Sequence, residues 1–158
     1  MLGFDAGKEE SDGSPDPWWI SGKFCFVFED HAGATPGSAL DVTKARQAFS
    51  HPNWMKEKDL LAGDMESVSV LVTPVSSARE GAMPHLHEVA LWPLDEFRQW
   101  ATGAMAILRQ LRRTISEPGD LVWRAEAAEL FEQNGLDAAS LFAKLKANPA
   151  SKRLKAVR

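Results

Sequence analysis

Residues 15–31 read Pro-Asp-Pro-Trp-Trp-Ile-Ser-Gly-Lys-Phe-Cys-Phe-Val-Phe-Glu-Asp-His and carry the strongest structural signal in the chain. Two runs rich in aromatic and β-branched residues flank a Ser-Gly-Lys turn signal at 21–23, which predicts two neighbouring strands. The second run, 24–28, is apolar throughout, as expected for a strand that is buried on both faces. Polar residues 29–31 end it. Charged groups at the end of such a strand are either solvated or functional.

The rest of the chain predicts one α/β domain, an α+β fold with a mixed sheet and a helical C-terminal part. Apolar residues recur at helical spacing from Leu94 to Arg113, and this is the clearest helix. Further helices are predicted at 42–50, where Pro52 stops the first of them, and at 121–134 and 137–146. Further strands are predicted at 68–75 and 88–92, and a loop at 1–17. A helix between two buried strands favours a parallel crossover in the sheet.

Composition narrows the function classes. The hydrophobic fraction is 44% and the charged fraction 25%, which is ordinary for a globular domain, and no apolar run is long enough for a membrane helix. A single cysteine excludes an internal disulfide, and the N-terminus does not resemble a secretory signal, so we expect a cytoplasmic setting. The net charge of −4 argues against nucleic-acid binding by bulk electrostatics. The last eight residues hold four bases and no acid, which predicts a frayed basic tail.

The stretch from Pro15 to His31 resembles the metal-binding motif of the PD-(D/E)XK nuclease-like, or restriction-endonuclease-like, superfamily. In that family an Asp opens one strand of a hairpin, an acid ends the neighbouring strand, and a Lys follows two residues later. Asp16 matches the first acid, with Pro15 before it, and Glu29 matches the second. The sequence departs from the family at the third position, where His31 replaces the lysine.

The resemblance implies a function and a set of site residues. Asp16 and Glu29 are expected to share an Mg²⁺ or Mn²⁺ ion, and the domain to hydrolyse phosphodiester bonds in DNA or RNA. His31, which alternation places on the same face as Glu29, is one candidate for handling the attacking water. Lys44, in the following helix, is the other candidate, because some members of the family carry their lysine there. Gln47 in the same helix is expected to position substrate or water.

The resemblance covers roughly residues 14–113 and leaves the last third of the chain unmatched. We therefore expect a restriction-endonuclease-like α/β core at 1–113, followed by a helical C-terminal extension of the same domain at 114–150 and the basic tail at 151–158. A second hypothesis is a catalytically inactive nuclease-like domain, kept as a nucleic-acid-binding or protein-assembly module in a larger system. A second copy of the chain, in a homodimer, is one candidate partner. The histidine at position 31 and the acidic balance favour this second hypothesis. A third is an unrelated interaction domain in which Asp16 and Glu29 are surface residues.

A helical wheel of residues 42–51 offers a simpler interpretation of the helix that follows the motif. Lys44, Gln47 and His51 fall on one face of it, opposite an apolar stripe. The stripe consists of Val42, Ala45 and Phe49. This pattern predicts that the polar face is solvated and that the stripe is buried.

Overall fold

A computed structural model describes residues 3–9, 14–115 and 117–158, which form a mixed α+β fold with two sheets and five α-helices. The strands are β1 (Asp5–Gly7), β2 (Asp16–Ser21), β3 (Phe24–Asp30), β4 (Ala39–Leu40), β5 (Glu66–Thr73), β6 (Ser77–Arg79), β7 (Val89–Pro93) and β8 (Lys155–Val157). The helices are α1 (Val42–Glu57), α2 (Leu94–Thr114), α3 (Leu121–Gln133), α4 (Ala138–Lys146) and α5 (Ala150–Arg153), with a 3₁₀ helix at Glu80–His85. Within these ranges no helix has both the length and the apolar character of a membrane span.

The larger sheet is mixed, as predicted, and has the strand order β1-β2-β3-β5-β7. β1, β2 and β3 form an antiparallel meander, whereas β3, β5 and β7 are parallel to one another. Gly22 has a φ of +55° in the tight turn between β2 and β3, a conformation that glycine adopts without steric cost. Helix α1 connects β3 to its parallel neighbour β5, so the carboxyl ends of these two strands and the start of α1 lie at the same edge of the sheet.

Each face of the larger sheet has its own apolar core. On one face, α1 packs over β3, β5 and β7 with buried side chains that include Val27, Leu71 and Leu91. On the other face, helices α2 and α4 cover an apolar core that contains Phe26 and Phe28 of β3 and Val68, Val70 and Val72 of β5. Alternation along the strands explains why β3 carries no polar residue before Glu29, since both of its faces are buried.

Helix α1 continues seven residues past the predicted end, through Pro52. A proline inside a helix lacks the N–H that would bond the carbonyl four residues earlier, here that of Ala48. The Ser69 hydroxyl on β5 donates to this carbonyl at 2.5 Å in the buried interface between helix and sheet. The helix therefore continues through Pro52, because the Ser69 hydroxyl, 21 residues after Ala48 in the chain, replaces the missing N–H donor.

The predicted loop at 1–17 contains β1 and the first residues of β2, while its residues 1–2 and 10–13 lie outside the described part of the chain. The expectation that the basic segment 151–158 is frayed is wrong. Its last residues form β8, which pairs with β6 in a second sheet of order β4-β6-β8, and Leu154 just before β8 is 4% exposed in the core. The four bases of this ordered segment are exposed, while Leu154 among them is buried.

This C-terminal segment is expected to contribute strongly to stability. Replacing Leu154 with alanine should lower the free energy of unfolding by ~2–4 kcal/mol, because it leaves a cavity in the core beneath α1. Replacing Lys155, which is exposed, should change it by less than ~0.5 kcal/mol. Urea denaturation of the two variants measures the difference, and equal stabilities would mean that the C-terminus is frayed after all.

Candidate functional site

Glu29 is the most deeply buried acid among the described residues, with 3% of its surface exposed. It lies near the carboxyl end of β3, opposite Leu71 of β5, and its side chain points to the face that α1 covers. A carboxylate in such a position needs partners, because an isolated charge is strongly disfavoured away from water.

Two side chains of α1 supply these partners. The Lys44 ammonium lies 2.5 Å from Glu29 Oε1, and His51 Nε2 lies 2.6 Å from Glu29 Oε2. Lys44 and His51 are seven residues apart, two helical turns, and so project on the same side of α1. His51 is 2% exposed, whereas the Lys44 side chain is 32% exposed and reaches solvent. The three residues, here called the Glu29 cluster, form an ion pair and a buried hydrogen bond around one carboxylate.

The cluster keeps the Glu29 carboxyl ionised. Burial acts to raise its pKa, but the hydrogen bonds from His51 and Lys44, together with their charges, outweigh burial and hold the pKa below its usual range. An ionised carboxylate only accepts hydrogen bonds, so His51 Nε2 carries the proton that it donates. His51 Nδ1 is buried without a hydrogen-bond partner among the described residues.

His31 lies close to the cluster at the same edge of the sheet. Its Nδ1 is 3.0 Å from the Thr73 hydroxyl at the end of β5, so the carboxyl ends of β3 and β5 each contribute a polar side chain. Burial lowers the pKa of His31, and the positive charge of Lys44 lowers it further. His31 is therefore a neutral imidazole near pH 7 and is able to accept a proton.

Asp16 lies elsewhere. It pairs with Phe28 on β3, beyond a β-bulge, and its Oδ2 accepts a hydrogen bond from the Asp30 N–H at 3.2 Å. Cross-strand partners share a face of the sheet and successive residues alternate between faces. Asp16 is thus on the side of Phe28, and Glu29 is on the opposite side.

The geometry brings together only part of the predicted set. Glu29, Lys44 and His31 meet at one edge of the sheet, whereas the register does not place Asp16 with them. Gln47 lies half-buried on α1 between Lys44 and His51 in sequence. The prediction of a solvated face on α1 is wrong, because His51 is buried in it while Phe49, from the predicted apolar stripe, is 41% exposed.

His51 is the site residue that the sequence-based assignment missed. Its signal was the spacing of small residues, since Ala45, Ala48 and His51 follow one another at intervals of three and Met55 continues the same buried stripe. Alanines are weak markers of an apolar face compared with Val42 and Phe49. The predicted apolar stripe therefore followed the larger side chains and left His51 on the polar face.

The arrangement does not fit an ion shared by Asp16 and Glu29. The two acids lie on opposite faces by register, and both oxygens of Glu29 already accept hydrogen bonds from Lys44 and His51. Binding a cation at Glu29 requires displacing one of these partners. The Glu29 cluster supports charge neutralisation around its carboxylate, and the neighbouring His31 is able to transfer a proton.

No family model, curated protein or solved structure matches this chain.

Proposed function

We propose that this chain is a nuclease-like α/β domain that does not hydrolyse phosphodiester bonds and serves as a protein-assembly module in a larger system. The observation that carries the proposal is the Glu29 cluster, because the acid that the motif assigns to a metal is neutralised internally by Lys44 and His51. A buried, fully partnered carboxylate contributes to a unique arrangement of α1 on the sheet. Its surroundings favour a structural role over catalysis.

The restriction-endonuclease-like core belongs to the same proposal. It is supported by a meander of three strands, a helix and a parallel fourth strand, with Glu29 at the end of the third strand. A protein partner is favoured over nucleic acid by the net charge of −4, since nucleic-acid binding draws most of its free energy from cations placed against phosphates.

Metal-dependent hydrolysis of DNA or RNA, with Mg²⁺ or Mn²⁺, is the second candidate. One observation favours it: Lys44 touches the motif acid Glu29, which the resemblance implies for members whose lysine lies in the helix. His31, a neutral imidazole beside the cluster, is available as a base. Under this hypothesis Lys44 leaves Glu29 when substrate binds.

A cleavage assay separates the two candidates. The native protein is incubated with plasmid and single-stranded DNA and with RNA, in Mg²⁺ or Mn²⁺, beside Glu29→Gln and the control Asp30→Asn, which alters an exposed acid next to it. We expect the three proteins to give the same background. Cutting by native protein and Asp30→Asn that Glu29→Gln loses, while circular dichroism shows it folded, would replace the assembly proposal by hydrolysis.

A further inference from the structure

An apolar groove lies on the face of the sheet opposite the Glu29 cluster, between α2 and the edge formed by β1 and β2. Its volume is about 350 Å³. It is lined by large side chains that include Phe4, Trp19, Phe97 and Met105, and by the small side chains of Ala101 and Ala104. Met105 is 48% exposed. Here this surface is called the α2 groove.

The α2 groove extends along several turns of α2. Phe97, Ala101, Ala104 and Leu108 lie at intervals of three and four residues, so they form a row along three turns of α2. At 1.5 Å per residue, the row is about 16 Å long. Small side chains beside large ones on a helix surface leave room for the side chains of a second helix, as in ridge-and-groove packing.

The exposed rim of α2 beside the groove is positively charged. Three exposed arginines lie one or two helical turns from Met105. Arg98 comes seven residues before it, and Arg109 and Arg112 come four and seven residues after it. Helical spacing places them on the flank that carries Met105. Arg98 also contacts Asp95 at 3.6 Å, an exposed pair that offsets little of the charge. The other positions three or four residues from Met105, Ala101, Thr102 and Leu108, carry no charge.

From this combination we infer that the α2 groove binds an amphipathic helix of a partner protein whose apolar stripe is flanked by acidic residues. The inference rests on the proposed function and names the surface and the chemistry of the partner. A second copy of this chain is disfavoured, because pairing two α2 grooves would bring their arginines together. A nucleic acid is disfavoured because the described residues that line the groove are apolar and aromatic and include no cationic side chain that could bind a phosphate.

Two synthetic peptides serve as probes. Both carry leucines at intervals of three and four residues over five turns, flanked by glutamates in one peptide and by lysines in the other. Binding is followed by the anisotropy of labelled peptide and by tryptophan fluorescence, because Trp19 and Trp100 line the groove. We expect saturable binding of the acidic peptide, roughly tenfold or more tighter than that of its lysine twin. Met105→Glu should weaken binding by a similar factor.

The matched control is Phe49→Glu, the same kind of change at an exposed apolar residue on α1, away from the groove. It should bind the acidic peptide as the native protein does. Equal binding of the two peptides, no binding of either, or native affinity in Met105→Glu would overturn the inference. So would a dimer that Met105→Glu dissociates in sedimentation, or an oligonucleotide that quenches these tryptophans. None of these results depends on hydrolysis, which the cleavage assay decides separately.

Discussion

Replacing Lys44 with methionine is expected to destabilise the protein by about 3 kcal/mol at neutral pH. The change keeps most of the apolar side chain and removes the ammonium group that contacts Glu29. Removing one partner of a buried ion pair costs ~3–5 kcal/mol, because the remaining charge stays buried without its counterion. The lower end applies, since the Lys44 side chain is one-third exposed and His51 still donates to the carboxylate.

The same substitution should invert the pH dependence that Glu29 contributes. In the native protein the pKa of Glu29 is below its unfolded value of about 4.3, so its contribution is present above that pH and is lost as pH falls through the folded pKa. Lys44 supplies two of the four interactions that lower the pKa of Glu29, and burial is the largest single influence on it, so we expect the pKa to rise above the unfolded value when Lys44 is removed. The contribution is then present below about pH 4.3 and is lost as pH rises through the folded pKa.

Urea denaturation between roughly pH 4 and pH 8 measures both effects. The difference in unfolding free energy between native protein and Lys44→Met should widen as pH rises, and adding Glu29→Gln to the variant should abolish the widening. Lys56→Met, in the last turn of α1 and exposed, is the control and should follow the native curve within ~0.5 kcal/mol. A constant difference at every pH would mean that Lys44 does not neutralise Glu29.

Local sequence patterns predicted the central strand and the longest helix because the pattern of apolar residues within each element is enough to identify it. Residues 24–28 are apolar at every position, and the apolar residues of α2 recur with helical period over 21 residues, so burial and period identify them without knowledge of their partners. The short strands β1, β4, β6 and β8 have two or three residues each. A run of that length contains too few positions to show alternation.

Features that depend on distant contacts were mispredicted or missed. The length of α1 depends on Ser69, which bonds the carbonyl that Pro52 leaves free. The burial of His51 depends on Glu29, 22 residues earlier, whose carboxylate needs a donor inside the core. In both cases a polar group is tolerated because a residue on another element completes its hydrogen bonds, and helical periodicity does not contain that information.

Replacing Trp92 with alanine is expected to cost ~3–5 kcal/mol of unfolding free energy, the range for deleting a buried aromatic ring. Trp92 on β7 is 1% exposed, and its ring meets those of Phe97 and Trp100 on α2, each with centroids 5.0 Å apart. Trp92→Phe should cost much less, since it keeps a ring and removes an indole N–H that has no partner among the described residues. Trp54→Ala, which removes a half-buried ring outside this core, is the variant with which the loss in Trp92→Ala is compared.

The loss of stability in Trp92→Ala should be greatest around α2, because the Trp92 ring packs between α2 and the sheet. Hydrogen exchange of the α2 amides should accelerate more in Trp92→Ala than that of the α1 amides, which pack on the opposite face. Trp100 lines the α2 groove, so loosening its packing should also weaken binding of the acidic peptide without any change at the groove surface. Uniform acceleration in both helices would instead mean that the two cores unfold as one unit, and the rigidity of the groove would then depend on the whole domain rather than on the contact between α2 and β7.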